Sequence, residues 1–303
     1  MVGLFIFLTL LIGIAMPVQT AVNSSLEKTL GSPLSASFAA FSIGTLICTL
    51  IALLDLGNAD LSVAGNLPWY AWTGGICGVT GITLYIVLFP RIGSVQTILL
   101  PILGQIATGM LIDLFGWFGM SAKPLPLSRV LGFLLVVAGV CMVVIKKSDG
   151  KDAARGGKLP FQALGIFAGV MIAAQSAMNG TLGASIHSPA VASAFSFISS
   201  TIVLIIIVSL SKRERECVRR IRTAPKIWWQ WTGGVIGSGV VLGFAASAPV
   251  LGVGLMTIIS ILGQLASSVA IERFGLIGVR KTGISPIQYA GLAAVLAGST
   301  IIY

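Results

Sequence analysis

The sequence predicts an all-α integral membrane protein of ten transmembrane helices, arranged as two inverted five-helix repeats. Three observations predict this fold. Mean hydropathy is +1.00, with 56% hydrophobic and only 9% charged residues, whereas soluble domains carry roughly 25% charged residues. The apolar runs lack the strict alternation of barrel strands, and lipid leaves helices and closed barrels as the only spanning forms. Finally, Trp72-Thr73-Gly74-Gly75, Leu103-Gly104-Gln105 and Phe115-Gly116 return as Trp231-Thr232-Gly233-Gly234, Leu262-Gly263-Gln264 and Phe274-Gly275, each 159 positions later. A unit with an odd number of spans, duplicated in tandem, places its second copy upside down in the bilayer.

At roughly 20 apolar residues per crossing, the first copy contains segments 3–30, 34–54, 69–90, 94–114 and 127–146. The second contains 160–186, 189–210, 229–248, 251–271 and 286–303. The copies therefore occupy 1–146 and 160–303, and the Gly- and charge-rich stretch 147–159 between them reads as a cytosolic linker. The first helix of each copy runs past polar residues to a Ser-Pro pair, Ser32-Pro33 or Ser188-Pro189. Proline restricts the residue before it and suits the first turn of a new helix. These pairs, with Gln19/Gln175 and Asn23/Asn179, differ by 156 positions, so loops between the second and third helices of each copy absorb three residues. The first helix thus belongs to the repeat, and no Lys or Arg precedes it as in a cleaved signal peptide. Between 72–144 and 231–303, 20 of 73 positions are identical without a gap. Shared hydrophobicity does not produce matched Trp, Gln and Pro, so the identity reflects duplication. The 37 glycines, including Gly74/Gly78 and Gly233/Gly237, suit close helix approach in lipid, and these two pairs are expected to set packing inside each half.

The net charge of +10 is explained by its distribution. With ten spans, 17 of the 19 Lys and Arg fall on one face, leaving only Lys123 and Arg129 on the other. The positive-inside rule then places both termini outside. In the first copy alone the count is two against two, so that half contributes little to the orientation. The cluster from Lys212 to Lys226 reads as a topology determinant, ahead of anionic headgroup contact or nucleic-acid binding. Cys48, Cys77, Cys141 and Cys217 lack metal-type spacing, and His187 has no nearby partner, so no metal or cofactor is expected.

Candidate functional residues are the amides. Gln19 and Asn23 are four apart and share a helix face, as do Gln175 and Asn179. Gln105 and Gln264 fall near the centres of the fourth and ninth segments. Six amides disposed about a pseudo-twofold axis either bond to one another as helix glue or line a shared polar chamber at the midplane, where transporter sites are expected. Neutral amides suit a small neutral or zwitterionic solute. No Asp, Glu, Lys, Arg or His occupies the central third of any segment, which weighs against a proton relay or a cationic cargo. Asp113 and Glu272, at equivalent positions near opposite faces, read as paired gates or as ordinary interfacial carboxylates. Trp69, Tyr70 and Trp72, with Trp228, Trp229 and Trp231, read as interface anchors. Trp72 and Trp231 are additional candidates for lining the solute route.

Pro17, Gln19 and Asn23, the following Gly31-Ser32-Pro33, the Trp-Thr-Gly-Gly start of the third helix and the Leu-Gly-Gln of the fourth and ninth together resemble the YdcZ-type family. That family is a branch of the drug/metabolite transporter superfamily, found in bacterial inner membranes as single five-helix halves or fused pairs. The resemblance spans essentially the whole chain outside the linker and implies a fused pair. Ala173 stands where the second copy would have proline and His187 where it would have glycine, so the sixth helix is not expected to bend as the first does. A secondary transporter, with one half rocking against the other, is the leading expectation. The alternatives are a receptor or assembly subunit with a basic docking loop, and an enzyme, for which no nucleophile, acid–base pair or metal set is found. A lipid flippase would remain within the transporter class. Fusion of the halves predicts a monomer, with a homodimer left open; the expected partners are a small solute and the bilayer.

Overall fold

The computed structural model describes residues 2–120, 126–146, 159–225, 227–279 and 285–302, with positions 122, 124, 281 and 283. All regular structure among these residues is helical: α1 (Val2–Leu30), α2 (Pro33–Asp55), α3 (Gly74–Ile92), α4 (Ser94–Phe115), α5 (Leu127–Lys146), α6 (Leu159–Ser185), α7 (Pro189–Leu210), α8 (Lys212–Arg219), α9 (Gly233–Phe274) and α10 (Pro286–Ile302). Among the described residues, six helices, α1 to α4 with α6 and α7, are long and apolar enough to cross a membrane, and α5 and α10 contain shorter apolar stretches. The expected linker lies outside the described residues except for Leu159, where α6 begins.

Local chemistry explains the boundaries. Ser32 Oγ accepts from the Leu34 amide and Ser188 Oγ from the Val191 amide, each at 3.2 Å, capping α2 and α7 ahead of a first-turn proline. The turn before each cap is left-handed, with Gly31 at φ 87° and His187 at φ 58°. Histidine adopts this shape at a steric cost that glycine avoids. The turns after α4 and α9 are copies of one another: Gly116 and Gly275 have φ 66° and 67°, and Phe118 and Ile277 have φ 58° and 55°. Two features differ from expectation. The third helix begins at Gly74, because Trp69–Trp72 forms a separate 3-10 turn, and the basic cluster contains a short helix, α8.

A third difference is that segments 229–248 and 251–271 fall in one 42-residue element, α9. A straight helix of that length would span about 63 Å. Yet a Cβ on Gly233 would meet the side chain of Asn23, and a Cβ on Gly243 the side chain of Ile12, so the first part of α9 runs antiparallel to α1. Further on, Ser260 lies against Gly13, and Ile271 clusters with Ala21 and Val18, so the second part runs parallel to α1. The chain therefore doubles back between Gly243 and Ser260, and α9 behaves as two arms.

Repeat-equivalent residues make reciprocal contacts. Where α2 meets α7, the Phe41 and Phe197 rings lie 5.5 Å apart and the Thr45 and Thr201 hydroxyls 2.8 Å apart. Each pair is separated by the 156-residue offset. Where α5 meets α10, a Cβ on Gly132 would lie 2.7 Å from the Gly298 carbonyl oxygen, and one on Gly298 2.6 Å from that of Gly132. Gly139 and Gly291 repeat the arrangement at 2.5 and 2.6 Å. Only residues without a side chain permit such backbone contact. α1 packs chiefly on α9, and α6 on α3 and α4, so the first helix of each copy is embedded in the other. Among the described residues, the largest apolar core joins residues of α3, α4, α5 and α6 to those of α9 and α10.

Candidate functional site

The exchanged helices bring four of the six predicted amides against glycines. A Cβ on Gly233 would lie 1.8 Å from Asn23 Oδ1, and one on Gly74 would lie 2.1 Å from Asn179 Oδ1. One helical turn along, Gly237 faces Gln19 Nε2 at 2.6 Å and Gly78 faces Gln175 Nε2 at 2.2 Å by the same measure. The Gly-xxx-Gly spacing of α3 and α9 thus provides not packing inside each half, as expected, but a pair of seats for the Gln and Asn of the opposite copy, because a missing Cβ leaves room for an amide of the exchanged helix.

The two seats differ in their hydrogen bonds. Asn179 Nδ2 donates to Ser196 Oγ at 3.0 Å, and Gln175 Nε2 donates to the same oxygen at 3.4 Å. Ser196 corresponds to Ala40 in the first copy, and neither amide atom of Asn23 has a hydrogen-bond partner. Gln105 and Gln264 lie elsewhere. Gln105 Nε2 donates to the Tyr85 hydroxyl at 3.3 Å, whereas Phe244 replaces that tyrosine in the second copy and Gln264 Nε2 turns to Ser260 Oγ at 2.9 Å. Among the described residues, no hydrogen bond joins any two of the six amides. Ser196 and Tyr85 were not singled out from sequence; comparing the copies position by position would have flagged both, because each lacks its polar counterpart.

Asp113 and Glu272 also play different parts. Asp113 pairs with Arg129 at 3.0 Å, and Gln288 stands at the position equivalent to that arginine. Glu272 is buried and Oε2 accepts from the Val95 amide at 3.1 Å, at the start of α4. A carboxylate there complements the helix dipole and satisfies a free amide. α4 has such an amide because the chain breaks at Gly93, φ 83°. Trp72 packs edge-on against Phe195, with centroids 4.9 Å apart, and Trp231 packs against the Leu26 and Leu30 cluster. Trp69 and Trp228, by comparison, are 78% and 77% exposed.

A family model described as "Putative inner membrane exporter, YdcZ" matches residues 4–142 and 161–301. The chain belongs to this YdcZ family. The matched spans leave out little more than the stretch between the copies, and they make the protein a membrane transporter of the drug/metabolite type in a two-half form. No curated protein sequence matches the chain. A solved chain titled "Crystal structure of protein" aligns with a TM-score of 0.58 over 97% of both chains at 15% identity. At that identity the likeness is one of fold.

Proposed function

We propose that this YdcZ-family protein is a secondary transporter, not an enzyme, that moves a small polar neutral or zwitterionic solute by alternating access. In this reading ten spans form two inverted five-helix repeats, 1–146 and 160–303, joined by a cytosolic linker at 147–159, with both termini outside the inner membrane. The protein works as a monomer. The observation that carries the proposal is the reciprocal seating of Gln19 and Asn23 on α9 and of Gln175 and Asn179 on α3. Equivalent polar groups from two copies meet helices of the opposite copy, the arrangement expected around a midplane site. Gln105 and Gln264, which lie apart from these seats, serve as further solute contacts, and Trp72 and Trp231 border the route.

The packing also suggests which bodies move. α1 belongs mechanically with α9, and α6 with α3 and α4. Rocking therefore occurs between these mixed bodies rather than between residues 1–146 and 160–303. Glu272 ties α9 to the start of α4, linking the bodies at one end. Asp113, at the equivalent position, is held within the first copy by Arg129. This asymmetry supports a conformation closed on the Glu272 side, with the two carboxylates as gates. The reading is tested with proteoliposomes and a broad panel of amino acids, sugars, nucleosides and amphiphiles. Flux of at least one solute above protein-free vesicles, reduced in Glu272→Gln, is expected; no flux for any of them would overturn it.

A further inference from the structure

The duplicated copy serves as an internal control for polar groups in the first. Four polar atoms in one turn near the end of α1 have no hydrogen-bond partner: Asn23 Oδ1, Asn23 Nδ2, Ser24 Oγ and Glu27 Oε2. Asn23 is 1% exposed and Ser24 2% exposed. Residues 23 and 27 share a helix face and 24 lies beside them. Buried polar groups are almost always paired, so four orphans in one turn call for a physical cause. Packing does not supply one. The second copy seats Asn179 on Gly74 just as Asn23 is seated on Gly233, yet Asn179 is bonded to Ser196. The positions equivalent to Ser24 and Glu27 are Gly180 and Gly183, so the polar cluster is built once, in the first copy only.

Its atoms define a ligand chemistry. Asn23 Oδ1, Ser24 Oγ and Glu27 Oε2 are three acceptors, one of them a carboxylate oxygen, and Asn23 Nδ2 is a donor. Arg91 donates to the Val87 carbonyl, and among the described residues no cation lies within 4.0 Å of the Glu27 carboxylate, so Glu27 is not held by a protein cation at contact distance. We propose that this turn of α1 is a subsite for a primary ammonium group, whose three N–H bonds match the three acceptors. The Asn23 amide donates to an oxygen on the same solute, as in a zwitterion that carries both groups. A charge-assisted bond to Glu27 supplies the main attraction. Calling the ligand a cargo rests on the transport reading above; the binding itself does not.

The test uses the full chain in detergent, titrated with methylammonium chloride and, at matched ionic strength, with tetramethylammonium or sodium chloride. Ligand that binds the folded state raises the unfolding temperature saturably. Methylammonium is expected to do so, and tetramethylammonium, which lacks N–H donors, is not. Glu27→Gln and Ser24→Ala each weaken apparent affinity, the former by about tenfold or more, the scale of a lost hydrogen bond to a charged group. Ala40→Ser, which gives Asn23 Nδ2 the hydroxyl partner that Asn179 already has, raises the baseline unfolding temperature and leaves the affinity for methylammonium, which has no oxygen for Nδ2 to bond, unchanged. If Glu27→Gln does not fold, Ser24→Ala decides the matter. A wild-type protein indifferent to methylammonium, or one equally stabilised by sodium, would overturn the assignment. Absence of flux in proteoliposomes with methylammonium binding intact would instead remove the transport reading and leave the subsite standing.

Discussion

Ser196 and Ala40 show how one hydroxyl separates two otherwise equivalent places. Asn and Gln four residues apart on α1 and α6 meet glycines of the other copy in the same geometry, but only the α6 pair finds a side-chain oxygen. In a setting with little water, an unmade hydrogen bond is costly and a made one contributes about 1 kcal/mol. Ser196→Ala should therefore destabilise the protein by about 1–2 kcal/mol, and Ala40→Ser should stabilise it by about 1 kcal/mol. Reversible thermal unfolding in detergent measures both, and equal effects of the same sign would refute the pairing scheme. The six amides were legible as candidates from their spacing. Their partners were not, because a hydrogen bond across more than 20 residues leaves no periodic trace. His187 teaches a related lesson. A histidine stands in place of glycine, and the backbone keeps the left-handed shape of Gly31, since the Ser-Pro cap that follows demands the same chain reversal.

At the level of elements, glycine and proline placement located most helix ends within a few residues. Gly93, Gly116 and Gly275 end or separate helices at positive φ, and Pro33 and Pro189 begin new ones. α9 is the informative exception. Gly252 is equivalent to Gly93, but the chain there remains helical while its two parts contact α1 in opposite senses. Disulfide trapping can verify the reversal. Cysteine pairs at Ile12 with Gly243 and at Ala21 with Ile271 should both cross-link, each in its own double mutant. A straight α9 would allow at most one. α8 was missed as a helix because its basic residues were weighed for topology, whereas its inward side is set by Glu214, which accepts from Ser32 Oγ at 2.5 Å and lies near Ser35. Glu214 and Cys217 turn to the protein and the arginines at 213, 215 and 219 to the surroundings, an amphipathic pattern of helical period.

For the whole molecule, the same tie fixes which loops share an end. Arg220 donates to the Leu30 carbonyl at 3.4 Å, so the loop after α1 and the loop after α7 lie together. Cysteines introduced at Lys28 and Arg220 should therefore react with impermeant maleimide from the same side, the cytoplasmic one under the positive-inside rule. Labelling from opposite sides would invalidate the orientation and the inverted arrangement together. By itself the sequence determined membrane residence, helical class, duplication and family, since each depends on composition or on residues recurring at a constant offset. Tertiary structure alone decided that α1 and α6 lodge in the opposite copy, that α9 doubles back, and that Asn23 and Asn179 differ in their bonding. Those outcomes depend on contacts between distant segments, where a missing side chain on Gly233 or Ala40 matters only once another helix is known to lie against it.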